Sequence, residues 1–264
     1  MKFESIEELE KLVIDLDTAD YRKVYVPAAD GGMLEVKQNI AIWNNNKQDV
    51  SCIASDEYTI LQHQDAFLPV VQALKVFGKE ITGDLKNEGN RVFLNVLFPH
   101  ETIIPSDKQP ILYGLRFSNS YDSSQRFRGG GYGLRLICSN GMIGIGNIGT
   151  NLASKHIGKK IIIEAKSISK LFQSFLDSKA RLADEIEAAI HDFIETDNME
   201  KWLGKELEIG ERTAKKIADK IDSGTPSRWD IYNAITAYAS TESKSEDNAE
   251  LYNRKAVKIL ARVR

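Results

Sequence analysis

The feature that most constrains how this chain can fold is a change of hydrophobic period near Lys166. Before it, apolar residues alternate with polar ones over short runs: Leu34 and Val36, Ile40 and Ile42, then Val92, Leu94 and Val96. Successive side chains of a strand point to opposite faces, so these runs predict half-buried strands. After it, Ile168, Leu171, Phe172, Phe175, Leu182, Ile186, Ile190 and Phe193 follow a helical stripe, which predicts one helix running to about residue 195. A chain patterned this way is expected to be α+β: an antiparallel β-sheet with a packed central helix, followed by a helical C-terminal part. Two domains are expected, a β-rich one over 1–165 and a helical region over 166–264 packing on it.

Local signals place the elements. Ile6, Leu9, Val13 and Leu16 have helical spacing, and Ser5 with Glu8 predicts a capping box at the start of that helix. Asp30-Gly31-Gly32, Asn44 to Asn46, and Glu88-Gly89-Asn90 predict turns between strands. Ala66, Phe67, Val70, Val71 and Leu74 predict a helix over 64–77 that stops at Gly78. Ile111–Phe117 and Tyr132–Ile137 read as strands flanking a polar, glycine-rich loop, and the run KKIIIEA as a last β-rich segment. A helical piece carries Ala214, Ile217 and Ile221. Ser227 with Asp230 predicts a capping box opening the next helix, and AELYNRKAVKILARVR predicts a terminal one. Trp229, Tyr232, Ile235 and Tyr238 share a helical face and are expected in the core.

Charge is distributed unevenly. Between Ile111 and Lys160 stand seven basic residues, Arg116, Arg126, Arg128, Arg135, Lys155, Lys159 and Lys160, against the single acid Asp122. That stretch carries +6 in a chain whose net charge is −3. Such an asymmetry focuses anionic ligands on one region of an acidic protein. Inside it, Tyr121, Arg126, Phe127, Arg128, Tyr132 and Arg135 interleave cations with aromatic rings around three consecutive glycines. Arginine forks onto phosphate oxygens, aromatic faces stack on exposed bases, and glycines let a ligand backbone approach the main chain. The expected nucleic-acid-binding residues are Arg116, Arg126, Phe127, Arg128, Tyr132, Arg135, Lys155, His156, Lys159 and Lys160, with Phe127 and Tyr132 stacking on bases. Asn119 and Asn140 are expected to add polar contacts or cap turns. The competing reading of the loop is a flexible hairpin with incidental arginines.

Other chemistry finds little footing. Gly144 to Gly149 spells GxGxxG, but a short polar stretch follows it where a dinucleotide site needs a long helix. Two cysteines, Cys52 and Cys138, and four scattered histidines show no zinc spacing. They make a disulfide framework unexpected and point to a reducing cytoplasm. No apolar run approaches the roughly 18 residues that span a bilayer, and the acidic start, MKFESIEELE, does not read as a secretory signal. No catalytic residue, metal or cofactor is expected, so the chain reads as a binding protein and not an enzyme.

Four stretches in order, EYTILQHQDAF, LRFSNSYDSSQRF, GLRLICSNGM with the later KHIG, and SRWDIYNAITAYA, resemble a phage/plasmid-like family carried on mobile elements and known as a domain of unknown function. The resemblance covers about residues 30 to 260. The chain departs from that pattern in its GGGYG insertion and in having no clear histidine after Tyr238. The pattern is more distantly similar to the single-strand annealing recombinases of phages, the Red-beta-type proteins. That likeness implies a homo-oligomeric ring or filament holding single-stranded DNA along a basic groove. The function expected is therefore single-stranded DNA binding and annealing on a mobile element or in a recombination pathway. The alternative is a viral or plasmid structural or assembly protein without catalytic activity.

Overall fold

A computed structural model describes residues 1–108, 110–135, 142–143, 152–154, 156, 161–222, 224–243 and 246–260, with residues 132–135, 142–143, 246–247 and 250 described by their backbone alone. In chain order the strands are β1 (Lys2–Phe3), β2 (Ala19–Pro27), β3 (Met33–Asn44), β4 (Asp49–Ser55), β5 (Thr82–Asn87), β6 (Arg91–Ile103), β7 (Ile111–Ser120), β8 (Phe127–Arg135), β9 (Met142–Ile143) and β10 (Leu152–Ser154). The helices are α1 (Ile6–Ile14), α2 (His63–Phe77), α3 (Ala165–Asp177), α4 (Lys179–His191), α5 (Met199–Leu207), α6 (Glu211–Ala218), α7 (Arg228–Thr241) and α8 (Glu246–Leu260). The fold is α+β, with two antiparallel sheets and a helical C-terminal part. One sheet has the order β1-β5-β6-β7-β8-β10, with β9 added beside β8; the other is β2-β3-β4.

Most local signals hold. Ser5 caps α1 by accepting from the Glu8 N–H at 3.2 Å, although the Glu8 carboxylate turns back to the N–H of Glu4 and not to that of Ser5. Gly78, at φ 66°, ends α2 in the left-handed conformation that costs glycine nothing. Gly31 and Gly89 take positive φ in the two β-turns where they were expected. The capping box of Ser227 and Asp230 opens α7, and Trp229, Tyr232, Ile235 and Tyr238 are all buried.

Three expectations are corrected. The helix expected to reach residue 195 is two helices, because buried Ser178 donates to the carbonyl of Phe175 at 2.7 Å and meets the phenol of Tyr113 at 2.9 Å. A serine that takes a backbone carbonyl for itself competes with the helical ladder. The glycines at 129–131 belong to strand β8 and not to a loop. Residues 161–164 of the KKIIIEA run form no strand. Helix α5 was not anticipated; Asn198 caps it through the N–H of Lys201, and it buries only Leu203 and Leu207.

The chain divides into two compact units that interleave along the sequence. One comprises 1–96, 115–130 and 150–174, the other 97–114, 131–149 and 175–264. In the first unit, α2 and α3 cover one face of the large sheet. Phe67 of α2 meets Phe127 edge-on at 6.2 Å between centroids, and Phe172 of α3 meets Phe117 at 6.3 Å. In the same unit β4 ends opposite Asn39, so the outer half of β2 and β3 continues as a two-stranded ribbon. Val26 and Leu34 face each other there and stay exposed. In the second unit, Tyr113 stacks on Phe175 at 3.7 Å, and Trp229 donates to Asp107 at 2.8 Å.

Candidate nucleic-acid interface

Strand β8 sorts its residues by alternation. Phe127 is fully buried against Phe67 and Phe117, Arg128 is half-buried, and Gly129 is buried. A Cβ at Gly129 would stand 2.4 Å from Cε1 of Phe117. Phe127, Gly129 and Phe117 therefore share the helix-covered face, which turns Arg128 to the other. On neighbouring β7, Leu115 and Phe117 are buried, so Arg116 between them also turns to that second face, where its guanidinium lies 4.9 Å from the ring centroid of Phe93. Arg126 precedes β8 by one residue and is exposed. It forms no ion pair among the described residues. Arg116 and Arg128 are thus brought to one side of two adjacent strands, both half-buried and with the Nε of Arg128 buried, while exposed Arg126 stands at the start of β8.

The turn that presents Arg126 is tightly held. Ser120 Oγ donates to the carbonyl of Gln125 at 2.8 Å and accepts from its N–H at 3.1 Å. The Tyr121 N–H donates to the Asn90 carbonyl at 2.7 Å. Asp122, the single acid of the basic stretch, pairs with Arg91 at 2.7 Å. Burial would raise its pKa, but hydrogen bonds from Ser124 and Arg91 outweigh that and keep the carboxyl below its ordinary range. Asp122 is thereby ionised and already matched by an arginine from outside the stretch.

Beneath the turn lies a buried polar cluster that sequence reasoning missed. The Tyr121 hydroxyl accepts from the His63 N–H at 2.9 Å and lies 2.8 Å from the Asp17 carbonyl and 2.9 Å from Gln62 Oε1. The His63 ring stacks on Tyr121 at 3.9 Å and its Nδ1 accepts from Asn119 at 3.0 Å. Burial pushes the imidazole of His63 down to about 3, so it is neutral. Tyr58 bonds His156 Nδ1 at 3.0 Å, and burial lowers the pKa of His156 too, against an opposing contact with the Thr59 backbone. The thiol of Cys52 meets the Tyr121 carbonyl and Ser123 Oγ, each at 3.3 Å; burial raises its pKa, so the neutral thiol is favoured. This cluster brings together residues of EYTILQHQDAF, LRFSNSYDSSQRF and KHIG, stretches far apart in the chain. No local spacing signalled it, because its members come from separate stretches: Tyr58 and His63 from the first, Asn119 and Tyr121 from the second and His156 from the third.

The expected site is revised accordingly. Phe127 does not stack on bases, because it is enclosed in the core. His156 is buried and biased to its neutral form, so it presents no cation to phosphate. The Gly129 position is filled by Phe117 and is not open to a ligand backbone. Asn119 serves the buried cluster. Tyr132 and Arg135 belong to β8 by their backbone, and their side chains lie outside the described residues, as do Lys155, Lys159, Lys160, Cys138, Asn140 and the GxGxxG stretch. Among the described residues no three His, Cys, Asp or Glu side chains converge as a metal site. None of the described helices is long and apolar enough to cross a membrane.

No curated protein and no solved structure matches the chain. A family model does match, over residues 52–260, and those residues run from within β4 to the end of α8, including the three arginines and all of the buried cluster except Asp17. The chain belongs to that family, described as a domain of unknown function (DUF932).

Proposed function

We propose that the protein binds single-stranded DNA by its phosphate backbone and promotes annealing, in the cytoplasm, as part of a mobile element or recombination pathway. The observation that carries this reading is the grouping of Arg116 and Arg128 on one side of β7 and β8, with exposed Arg126 at the start of β8. Guanidinium groups at a strand surface grip phosphate oxygens without reading bases. The burial of Phe127 fits the reading, since a backbone grip leaves bases free to pair with an incoming strand. The +6 charge of the surrounding stretch adds long-range attraction.

The test is fluorescence anisotropy of a labelled single-stranded oligonucleotide, run across salt concentrations against the same sequence as duplex. Single strands should bind more tightly, with affinity falling steeply as salt rises. Arg126→Ala with Arg128→Ala should weaken binding at least tenfold and flatten the salt slope by roughly 1.4, from two lost phosphate contacts at about 0.7 each. Absence of binding at low salt, or an unchanged slope in the double variant, overturns the assignment.

A homo-oligomeric structural or assembly protein is the second reading, favoured by the ribbon of β2 and β3. Its Tyr25, Val26, Met33 and Leu34 are all exposed. Light scattering that shows a defined oligomer with no DNA affinity would select it over the first.

A further inference from the structure

Helices α6, α7 and α8 of the second unit line a half-open cavity of about 300 Å³. Arg212, Thr213 and Lys216 line it from α6, Tyr238 from α7, and Tyr252 from α8, with Glu242 at the end of α7. Arg212 and Lys216 are four residues apart, so they lie one turn apart on the same helical face. Ala214 and Ile217 bury the opposite face of α6.

Among the described lining residues two cations stand against one acid. Glu242 is taken by Lys216 at 2.5 Å and Lys220 at 3.0 Å, and these bonds hold its carboxyl below the usual range. With Arg212 exposed at the rim, the three charged residues described in the lining, Arg212, Lys216 and Glu242, sum to +1, which favours an anion. The remaining wall is aromatic. Tyr238 and Tyr252 meet edge-on, 4.9 Å between centroids at 82°, and the Tyr252 phenol is hydrogen-bonded to Thr213 and Tyr238. That arrangement fixes a rigid ring surface beside two basic groups. A flat aromatic group stacks on such a wall and a phosphate pairs with such cations. The volume lies at the small end of ligand cavities, which fits one nucleotide and not a dinucleotide.

We propose that this cavity binds a nucleoside monophosphate unit, with its phosphate at Arg212 and Lys216 and its base against Tyr238 and Tyr252. The same chemistry is presented by a free mononucleotide and by the 5′-phosphorylated end of a strand. The site is separate from the arginines of β7 and β8 and does not depend on their role.

The experiment is isothermal titration of the full chain with each of the four nucleoside monophosphates, the matching nucleosides and inorganic phosphate. At least one monophosphate should bind saturably, at least tenfold tighter than either its nucleoside or phosphate alone. Arg212→Ala, a rim change that leaves the helix core intact, should weaken it at least fivefold, and Tyr252→Leu should do the same. Arg126→Ala with Arg128→Ala should leave it unchanged, which separates this site from the proposed DNA surface. A 5′-phosphorylated oligonucleotide that outbinds its 5′-hydroxyl twin, with the advantage lost in Arg212→Ala, identifies the strand end as the source. Equal binding of the two identifies the free mononucleotide. The proposal is overturned when no monophosphate binds saturably, when phosphate alone binds as well, or when Arg212→Ala binds normally.

Discussion

Phe117 occupies the space that a side chain at Gly129 would need: a Cβ there would fall 2.4 and 2.5 Å from two atoms of its ring and 3.2 Å from a methyl of Leu171. The ring belongs to a buried strand and cannot swing into solvent. Gly129→Ala should therefore destabilise the chain by about 1–3 kcal/mol, the usual cost of overpacking. Urea denaturation measures it. Adding Phe117→Leu to Gly129→Ala should recover part of the loss, and a double variant no better than the single would deny the steric cause.

Phe127 makes a prediction of the opposite kind. Truncating a fully buried phenylalanine packed on Phe67 and Phe117 leaves a cavity, so Phe127→Ala should cost about 3–5 kcal/mol. The variant that still folds at low temperature should bind oligonucleotides with undiminished affinity. Selective loss of binding at full stability would return Phe127 to the binding surface.

His63 should make stability depend on pH. Its folded pKa, about 3, lies below the ordinary value of 6.5, so the unfolded chain takes up the proton first. The stability it lends is complete above about pH 6.5 and is lost as pH falls toward 3. His156 is shifted in the same direction and adds to the same window. Urea midpoints from pH 8 to pH 4 should fall less steeply in His63→Gln than in the parent. Parallel curves would show that His63 is not the group responsible.

The box at the start of α7 should be worth about 1 kcal/mol. Ser227 Oγ accepts from the Asp230 N–H at 3.1 Å, and the Asp230 carboxylate accepts from the Ser227 N–H at 2.9 Å. Ser227→Ala should lower the thermal midpoint by a few degrees, with the larger share restored by Thr at the same position than by Gly. Equal behaviour of Ala and Thr would show that the hydroxyl does not carry the effect.

What could be read in advance was whatever depends on near neighbours in the chain. The stripe of α2 and the Ser227 box rest on spacings of three or four residues and appear as expected; β6 forms where Val92, Leu94 and Val96 alternate, but it is buried on both faces and not half-buried, because Phe93, Asn95 and Leu97 are covered too. The break at Ser178 was not legible, because it depends on Tyr113, far away in the chain. The roles of the glycine run and Phe127 were misread for the same reason. Aromatic residues beside arginines look alike whether they face a ligand or a core, and only the partners Phe67 and Phe117 decide between them. The net charge of the stretch was readable, whereas the side of the sheet to which each arginine turns was not.

The meeting of Tyr58, His63, Asn119, Tyr121 and His156 in one buried cluster ties three stretches that lie far apart in the chain to a single turn. These residues hold up the turn from beneath, and Arg126 leaves its outer side exposed. A defect in any one of the three stretches would therefore reach the turn through the cluster, and with it the presentation of Arg126.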